Sequence, residues 1–332
     1  MFATLLGGLP RPTGPDDLPL DDDDAAVRAA LAAQVEAGLE PLTDGRLRSA
    51  GFVGPMAALR GVAVGTAGPR LTGRPAWDGP LTVETWRFAA AIGAGIVKQA
   101  LPGPYTLSRR FGAAADDAAA EALADAVRSE IRALADAGCL FIEVEEPDAH
   151  LIGTDPVERA RFVRAHEHLL DGLEGVHLSL AILGGNADTA GIETILAAPY
   201  PSLAFDLIDG PDNWRLVQST PGDRGIVCGV MSTRAAGEDG PEVMIWAAAY
   251  AASGNGRGPS RVGLATAGGL EHLSWQVARR KMTRLGEAAR LAASSPSEAA
   301  AHLDPQSLDI RSAALGRHAS PRNRRGQGGR AS

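Results

Sequence analysis

The chain has 332 residues, 45% hydrophobic and 22% charged, which is enough for one large core or two domains and ordinary for a globular protein. A formal net charge of −8 argues against a general nucleic-acid-binding surface, and no apolar run reaches the roughly 18 residues that would suggest a membrane span. Two cysteines, Cys139 and Cys228, lie in apolar contexts that suggest no disulfide scaffold, and the opening MFATLLGGLPRP lacks the basic start of a signal peptide, so a cytoplasmic protein is expected.

Taken in chain order, the first apolar stretch covers 2–6. The acidic run Asp21 to Asp24 reads as a solvated loop and helix start, where negative charge suits the helix dipole. A helix-like segment over 24–37 leads to a second apolar stretch at 39–43. Residues 51–82, with GVAVGTAG and PRLTGRPAW, read as a β-hairpin-like insertion. Further strand candidates follow at 96–101, 139–145, 175–181, 203–208, 225–231 and 261–265. Their alternation is poor, as for strands buried on both faces. Helices are expected over 117–137, where Ala120, Leu123, Ala124, Val127, Ile131 and Leu134 form a stripe, and over 155–173, where Asp155 would cap and Pro156 would open the first turn. Two more are expected over 241–253 and 270–292. Strand alternates with helix through eight strands, so an α/β fold of the (β/α)8 barrel type fits, with a doubly wound open sheet as its main rival. The barrel domain would span 1–311, and 312–332, rich in arginine and poor in large apolar groups, reads as a disordered basic tail.

A barrel presents its chemistry at the C-terminal ends of its strands. Those ends offer Asp44 and Arg46 in LTDGR, Tyr105 after LPGP, and the acids of LFIEVEEPDAH. Later ends offer Asp206 and Asp209, then Ser232 to Arg234, then Gly268 and Gly269. Glu143 and Glu145 share one face of their strand. Inside a barrel such carboxyls need a cation or a ligand, and Glu143 suits a salt bridge as well as it suits a ligand. His177 and Ser179 share a face of the apolar VHLSLAI, where a lone histidine is often a satisfied core residue.

The ordered series TLLGGLPR, AGLEPLTDGR, VKQALPGPYTL, EEPDAH, VHLSL, GVMSTR and ATAGGL resembles the catalytic barrel of cobalamin-independent methionine synthases and their short relatives, within a superfamily that includes uroporphyrinogen decarboxylase. The resemblance runs to about residue 290. It implies a TIM barrel, a methyl-tetrahydrofolate-like donor and a thiol acceptor activated by zinc. It would place a zinc-binding histidine at His177, but Ser179, Asp206 or Asp209, and Gly268 stand where a cysteine, a glutamate and a second cysteine belong. Glu145 matches the acid that binds the substrate amine, Arg46 replaces a substrate-binding glutamate, and Arg234 replaces a histidine associated with acid chemistry. No tightly bound zinc is therefore expected. Arginine is a poor proton shuttle but grips carboxylates and phosphates. The expected activity is methyl or alkyl transfer on a small anionic substrate without thiolate-zinc activation. Arg46 and Arg234 would clamp the anion, and Glu145, His177 and Ser179 would serve the chemistry. Asp44, Glu143, Tyr105, Asp206 and Asp209 would line the site. A lyase or decarboxylase-like enzyme on a carboxylated small molecule and a non-catalytic ligand-binding barrel are the alternatives. The expected state is monomer or homodimer, with no nucleic-acid or membrane partner.

Overall fold

The computed structural model describes residues 1–294 apart from 50, 115 and 235–239. The segment 312–332, expected to be a basic tail, lies outside the described residues. Strand β1 (Phe2–Thr4) is followed by α1 (Asp23–Glu36), the hairpin β2 (Arg60–Gly65) and β3 (Gly68–Ala76), and α2 (Val83–Ile92). Then come β4 (Gln99–Pro102), α3 (Pro104–Arg110), α4 (Asp117–Asp136), β5 (Phe141–Glu146) and α5 (Pro156–Leu170). The remainder is β6 (His177–Ile182), α6 (Ile192–Leu196), β7 (Ser202–Asp206), α7 (Trp214–Ser219), β8 (Gly225–Met231), α8 (Pro241–Ser253), β9 (Val262–Thr266) and α9 (Trp275–Ala293). Among the described residues no helix is long and apolar enough to cross a membrane.

Seven parallel strands form one sheet in the order β1-β9-β8-β7-β6-β5-β4. The extended segment 39–43 joins the two edges. Glu40 N–H donates to Ala3 O at 2.8 Å, Leu42 N–H to Ile96 O at 2.7 Å, and Lys98 N–H to Leu42 O at 2.9 Å. This is the TIM-barrel order. The second expected strand is therefore present as a connection with one parallel bridge, Leu42 to Val97, rather than as a full ladder. Pro41 in its middle has no N–H to give. The hairpin pairs antiparallel, as its sequence suggests.

The two faces of the strands separate cleanly. Ile142, Val144, Leu178, Leu180, Leu203, Phe205, Ile226, Cys228 and Leu264 join the large core shared with the helices. Phe2, Leu6, Ala181, Leu183, Ala204, Val227 and Ala265 form a separate cluster inside the barrel. The small residues on the inner face leave room for Phe2. A methyl group on Gly263 would sit 2.4 Å from the Phe2 ring.

Several helices are fixed by caps. Asp155 accepts from Val157 N–H at 2.8 Å with Pro156 next, as the sequence suggests for α5. Asp116 caps α4 in the same way. The short helices α2, α3, α6 and α7 carry little periodic signal and emerge only in the structure. On α4, buried Glu130 interrupts the apolar stripe. It accepts from Trp77 Nε1–H (2.8 Å), Leu81 N–H (2.9 Å), and Thr82 N–H and Oγ–H (both 2.6 Å), which ties the strand-out of the hairpin to the barrel.

Candidate functional site at the strand ends

The polar centre of the barrel begins one level below its mouth. Lys98, just before β4, and Glu143, from β5, are each about 1% exposed and lie 2.8 Å apart, Nζ to Oε2. Burying either alone would be costly, so the pair is the condition for their presence. The other carboxyl oxygen, Glu143 Oε1, has no hydrogen-bond partner, and neither has Ser179 Oγ. Ser179 stands opposite Glu143 in the register of β5 and β6, so the two face the same interior. Burial pushes the Glu143 carboxyl up and Lys98 pulls it back, while Glu145 raises it and Arg46 lowers it; the result is about 7.

Glu145 lies two residues further along the same face, at the mouth. It is paired with Arg46, and Gly7 N–H donates to its Oε1 at 3.2 Å. Arg46 also approaches Glu271, at 4.0 Å, and its guanidinium lies 4.8 Å from the centre of the Phe52 ring. The arginine has φ +57°, an unusual conformation for a non-glycine residue, held by its N–H donating to Asp44 Oδ1 at 3.0 Å. Burial raises the Asp44 carboxyl, partly offset by that hydrogen bond and by the Arg46 charge. Gly8 N–H donates to Glu271 at 2.9 Å, and a side chain on Gly7 would strike the Gly269 backbone at 2.4 Å. The loops after β1 and β9 thus meet main chain to main chain beside Glu145.

A cavity of about 130 Å³ opens sideways here, lined by Asp44, Arg46, Phe52, Thr82 and Gln99 among others. It lies where the single bridge of segment 39–43 leaves the wall unpaired. A larger groove of about 680 Å³ runs between the loop 13–17 and the start of α9. It touches none of the interior charges, so volume alone is a poor guide to the chemistry.

The expected site residues separate into those the mouth gathers and those it does not. Asp44, Arg46, Glu145 and, one level down, Glu143 and Ser179 come together. Asp206 is buried at the end of β7, but its Oδ1 already accepts from Ile208 N–H (2.9 Å) and Asp209 N–H (3.0 Å), closing the turn. Burial raises this carboxyl too, ahead of those two hydrogen bonds. Arg234 is 73% exposed and pairs with Asp209 on the outer rim, so it does not converge with Arg46 on one anion.

Two positions need correction. Tyr105 was expected at the mouth, but α3 begins at Pro104 and turns its ring outward. It packs edge-on against Phe162 of α5, 5.6 Å between centres, and its hydroxyl donates to Glu158 at 2.7 Å. His177 was expected with the strand-end groups, but β6 begins at this residue, so it stands at the opposite, N-terminal end. There it stacks on Phe141, 4.9 Å between centres, and pairs through Nε2 with Ser202 Oγ at 2.8 Å. Burial lowers its pKa. Ser179 lies between the two ends, one level below Glu145.

Sequence reading passed over Lys98, Glu271 and the N–H groups of Gly7 and Gly8. Lys98 had a usable signal, since a lysine inside the apolar IVKQAL must find an acid if that strand is buried. Glu271 had none, because a glutamate after Gly-Gly looks like any loop charge.

The zinc implied by the resemblance does not fit these residues. His177 is at the wrong end. Cys139 Sγ–H donates to Phe141 O, and Cys228 turns toward Ala247 O of α8. Burial pushes these thiols up, to about 11 and about 12, away from the thiolate form a metal needs. Among the described residues no three of His, Cys, Asp and Glu are grouped to hold a metal ion.

No family model matches the chain. A methionine synthase of Methanothermobacter thermautotrophicus strain Delta H is 27% identical over 262 residues, covering 70% of this chain and 82% of that one. A B12-independent methionine synthase from Shewanella sp. W3-18-1, solved with selenomethionine, superposes with a TM-score of 0.74 at 18% identity, over 91% of this chain and 99% of that one. The chain is thus similar in sequence to a methionine synthase and shares its fold with a B12-independent one. A methyltransferase from Methanosarcina mazei also shares the fold, with a TM-score of 0.54 at 15% identity over 87% of this chain and 94% of that one.

Proposed function

We propose that this chain is a methyltransferase-like enzyme whose small acceptor carries both an amine and a carboxylate and binds at the barrel mouth. The observation that carries this is the buried Arg46–Glu145 pair. A guanidinium and a carboxyl already joined at the mouth present one group for a carboxylate and one for an ammonium. A zwitterion can exchange the internal pair for two external ones, whereas a simple anion would have to compete with Glu145 and Glu271 for Arg46. The likeness to methionine synthases and a methyltransferase supports methyl transfer as the reaction class. A methyl-tetrahydrofolate-like compound is the donor this reading implies. No step is assigned to zinc, because the side chains that would hold it do not converge.

The direct test is transfer of a labelled methyl group from an N-methyl folate to a panel of amino-acid acceptors, with and without a strong chelator. Transfer that survives chelation is expected. E145Q should lower kcat/KM by roughly 10- to 1,000-fold, through the loss of one desolvated charge contact. Absence of transfer to every acceptor, with amino acids still raising the melting temperature, would indicate a binding barrel instead.

A further inference from the structure

We propose that Glu143 is the general base of this barrel, taking on Oε1 the proton that leaves the bound acceptor while Oε2 stays on Lys98. The carboxyl is asymmetric in a way that suits this task. One oxygen is fixed 2.8 Å from a buried ammonium, and the other meets no hydrogen-bonding group. An unpartnered carboxyl oxygen in a buried setting gains from acquiring a proton or a donor. Ser179 Oγ, also without a partner, faces the same space from the neighbouring strand. It stands at the level of Glu143, one step below Glu145 along the strands.

The groups around Glu143 are Lys98 just before β4, Glu145 along β5, Arg46 after segment 39–43, and Ser179 with His177 on β6. Lys98 and Arg46 oppose burial and Glu145 reinforces it, leaving the carboxyl balanced near neutrality. That is where a general base works best. Other expected proton carriers are less suited. His177 is tied to Ser202 at the barrel floor. Tyr105 faces outward, where burial pushes its phenol up. Arg234 stays charged.

Identifying the acceptor as the source of the proton rests on the methyl-transfer reading above. In that step the acceptor X–H bond breaks, its electron pair remains on X and attacks the methyl carbon, and an O–H bond forms at Glu143. The methyl–nitrogen bond of the amine donor breaks with its pair on nitrogen. Glu143 then returns the proton to that nitrogen, so the carboxylate is regenerated.

The full chain labelled with 13C at the glutamate carboxyl would be titrated by NMR. One resonance is expected to titrate near pH 7, to vanish in E143Q, and to move to higher pH in K98M. If E143Q does not fold, the infrared carboxylic C=O band of the wild-type chain must still appear as pH falls through 7 and must persist to higher pH in K98M. With an active acceptor, E143Q should lower kcat by roughly 100- to 10,000-fold with little change in KM. No carboxyl titrating above pH 6, or a neutral-range resonance that survives E143Q, would overturn the proposal, as would undiminished turnover in that variant. The expected titration with no methyl transfer from any donor would leave Glu143 a proton-holding group and overturn the methyl-transfer reading instead.

Discussion

Arg46 and Glu145 are the residues on which the mouth depends. Each neutralises a charge the other could not carry alone at that depth. R46A should destabilise the fold by about 3–5 kcal/mol, because it leaves Glu145 buried without its cation. R46M combined with E145M should cost less than either single change. Urea denaturation of the four proteins in a double-mutant cycle measures this, and simple additivity would mean the pair is weakly coupled. Glu143 makes a second residue-scale prediction. Its carboxyl is raised from 4.5 to about 7 in the folded chain. Between those values the folded state binds more protons than the unfolded state. Its contribution to stability is therefore present below pH 4.5, falls as pH rises toward 7, and changes no further above that. E143Q should flatten this part of the profile without abolishing it, since Asp44 and Asp206 are raised in the same sense. Unfolding free energies at pH 5 and pH 8 would show it.

At the scale of elements, two buried glutamates hold pieces together that a propensity argument would leave loose. Glu146 accepts from Tyr105 N–H (2.9 Å), Thr106 N–H (2.7 Å) and Thr106 Oγ–H (2.5 Å), which fixes the start of α3, and it lies 3.1 Å from His166 of α5. Glu130 does the same for the exit of the hairpin. E130A should cost about 3 kcal/mol, given hydrogen bonds to a charged group. Limited proteolysis should then cut within 60–82 first. Gly286 offers a sharper case. A methyl group there would lie 1.7 Å from Ala37 O, at the contact of α9 with the end of α1. G286A should therefore lower the melting temperature, even though alanine is the better helix former by about 1 kcal/mol.

These elements also show what could be read in advance. The strand-helix alternation, the Asp155 cap and the stripe on α4 are local patterns, and each is visible in a few adjacent letters. The faces of Glu143 and Glu145 follow from the two-residue period of a strand. Glu130 and Glu146 are bound by backbone N–H groups 48 and 41 residues away. Nothing near them in the sequence announces it. His177 was grouped with the mouth because it alternates with Ser179, but a shared face is not a shared level: it is the first residue of β6 and so stands at the N-terminal end. The sequence also does not show that Arg46 is already paired with Glu145 and lies near Glu271.

On the scale of the whole molecule, the barrel is closed by its least regular wall. Segment 39–43 holds β1 and β4 together through a few hydrogen bonds around Pro41. Q34A should loosen this seam, since the Gln34 side chain bonds Thr43 through both its amide and its carbonyl, at 2.8 and 2.9 Å. Faster hydrogen exchange at Leu42 and Lys98 than at the strands β6 to β8 would register it.

The contact of the Gly7–Gly8 turn with Gly269 and Glu271 also orders events in time. Phe2 pairs with Gly263, and Gly8 gives its N–H to Glu271. During synthesis the first strand, already bonded to segment 39–43, must therefore wait for the last described strand, β9, before its other edge is paired. The surroundings of Glu145 cannot be completed on a partly made chain, so an emerging polypeptide lacks the Gly8–Glu271 contact until some 270 residues have left the ribosome.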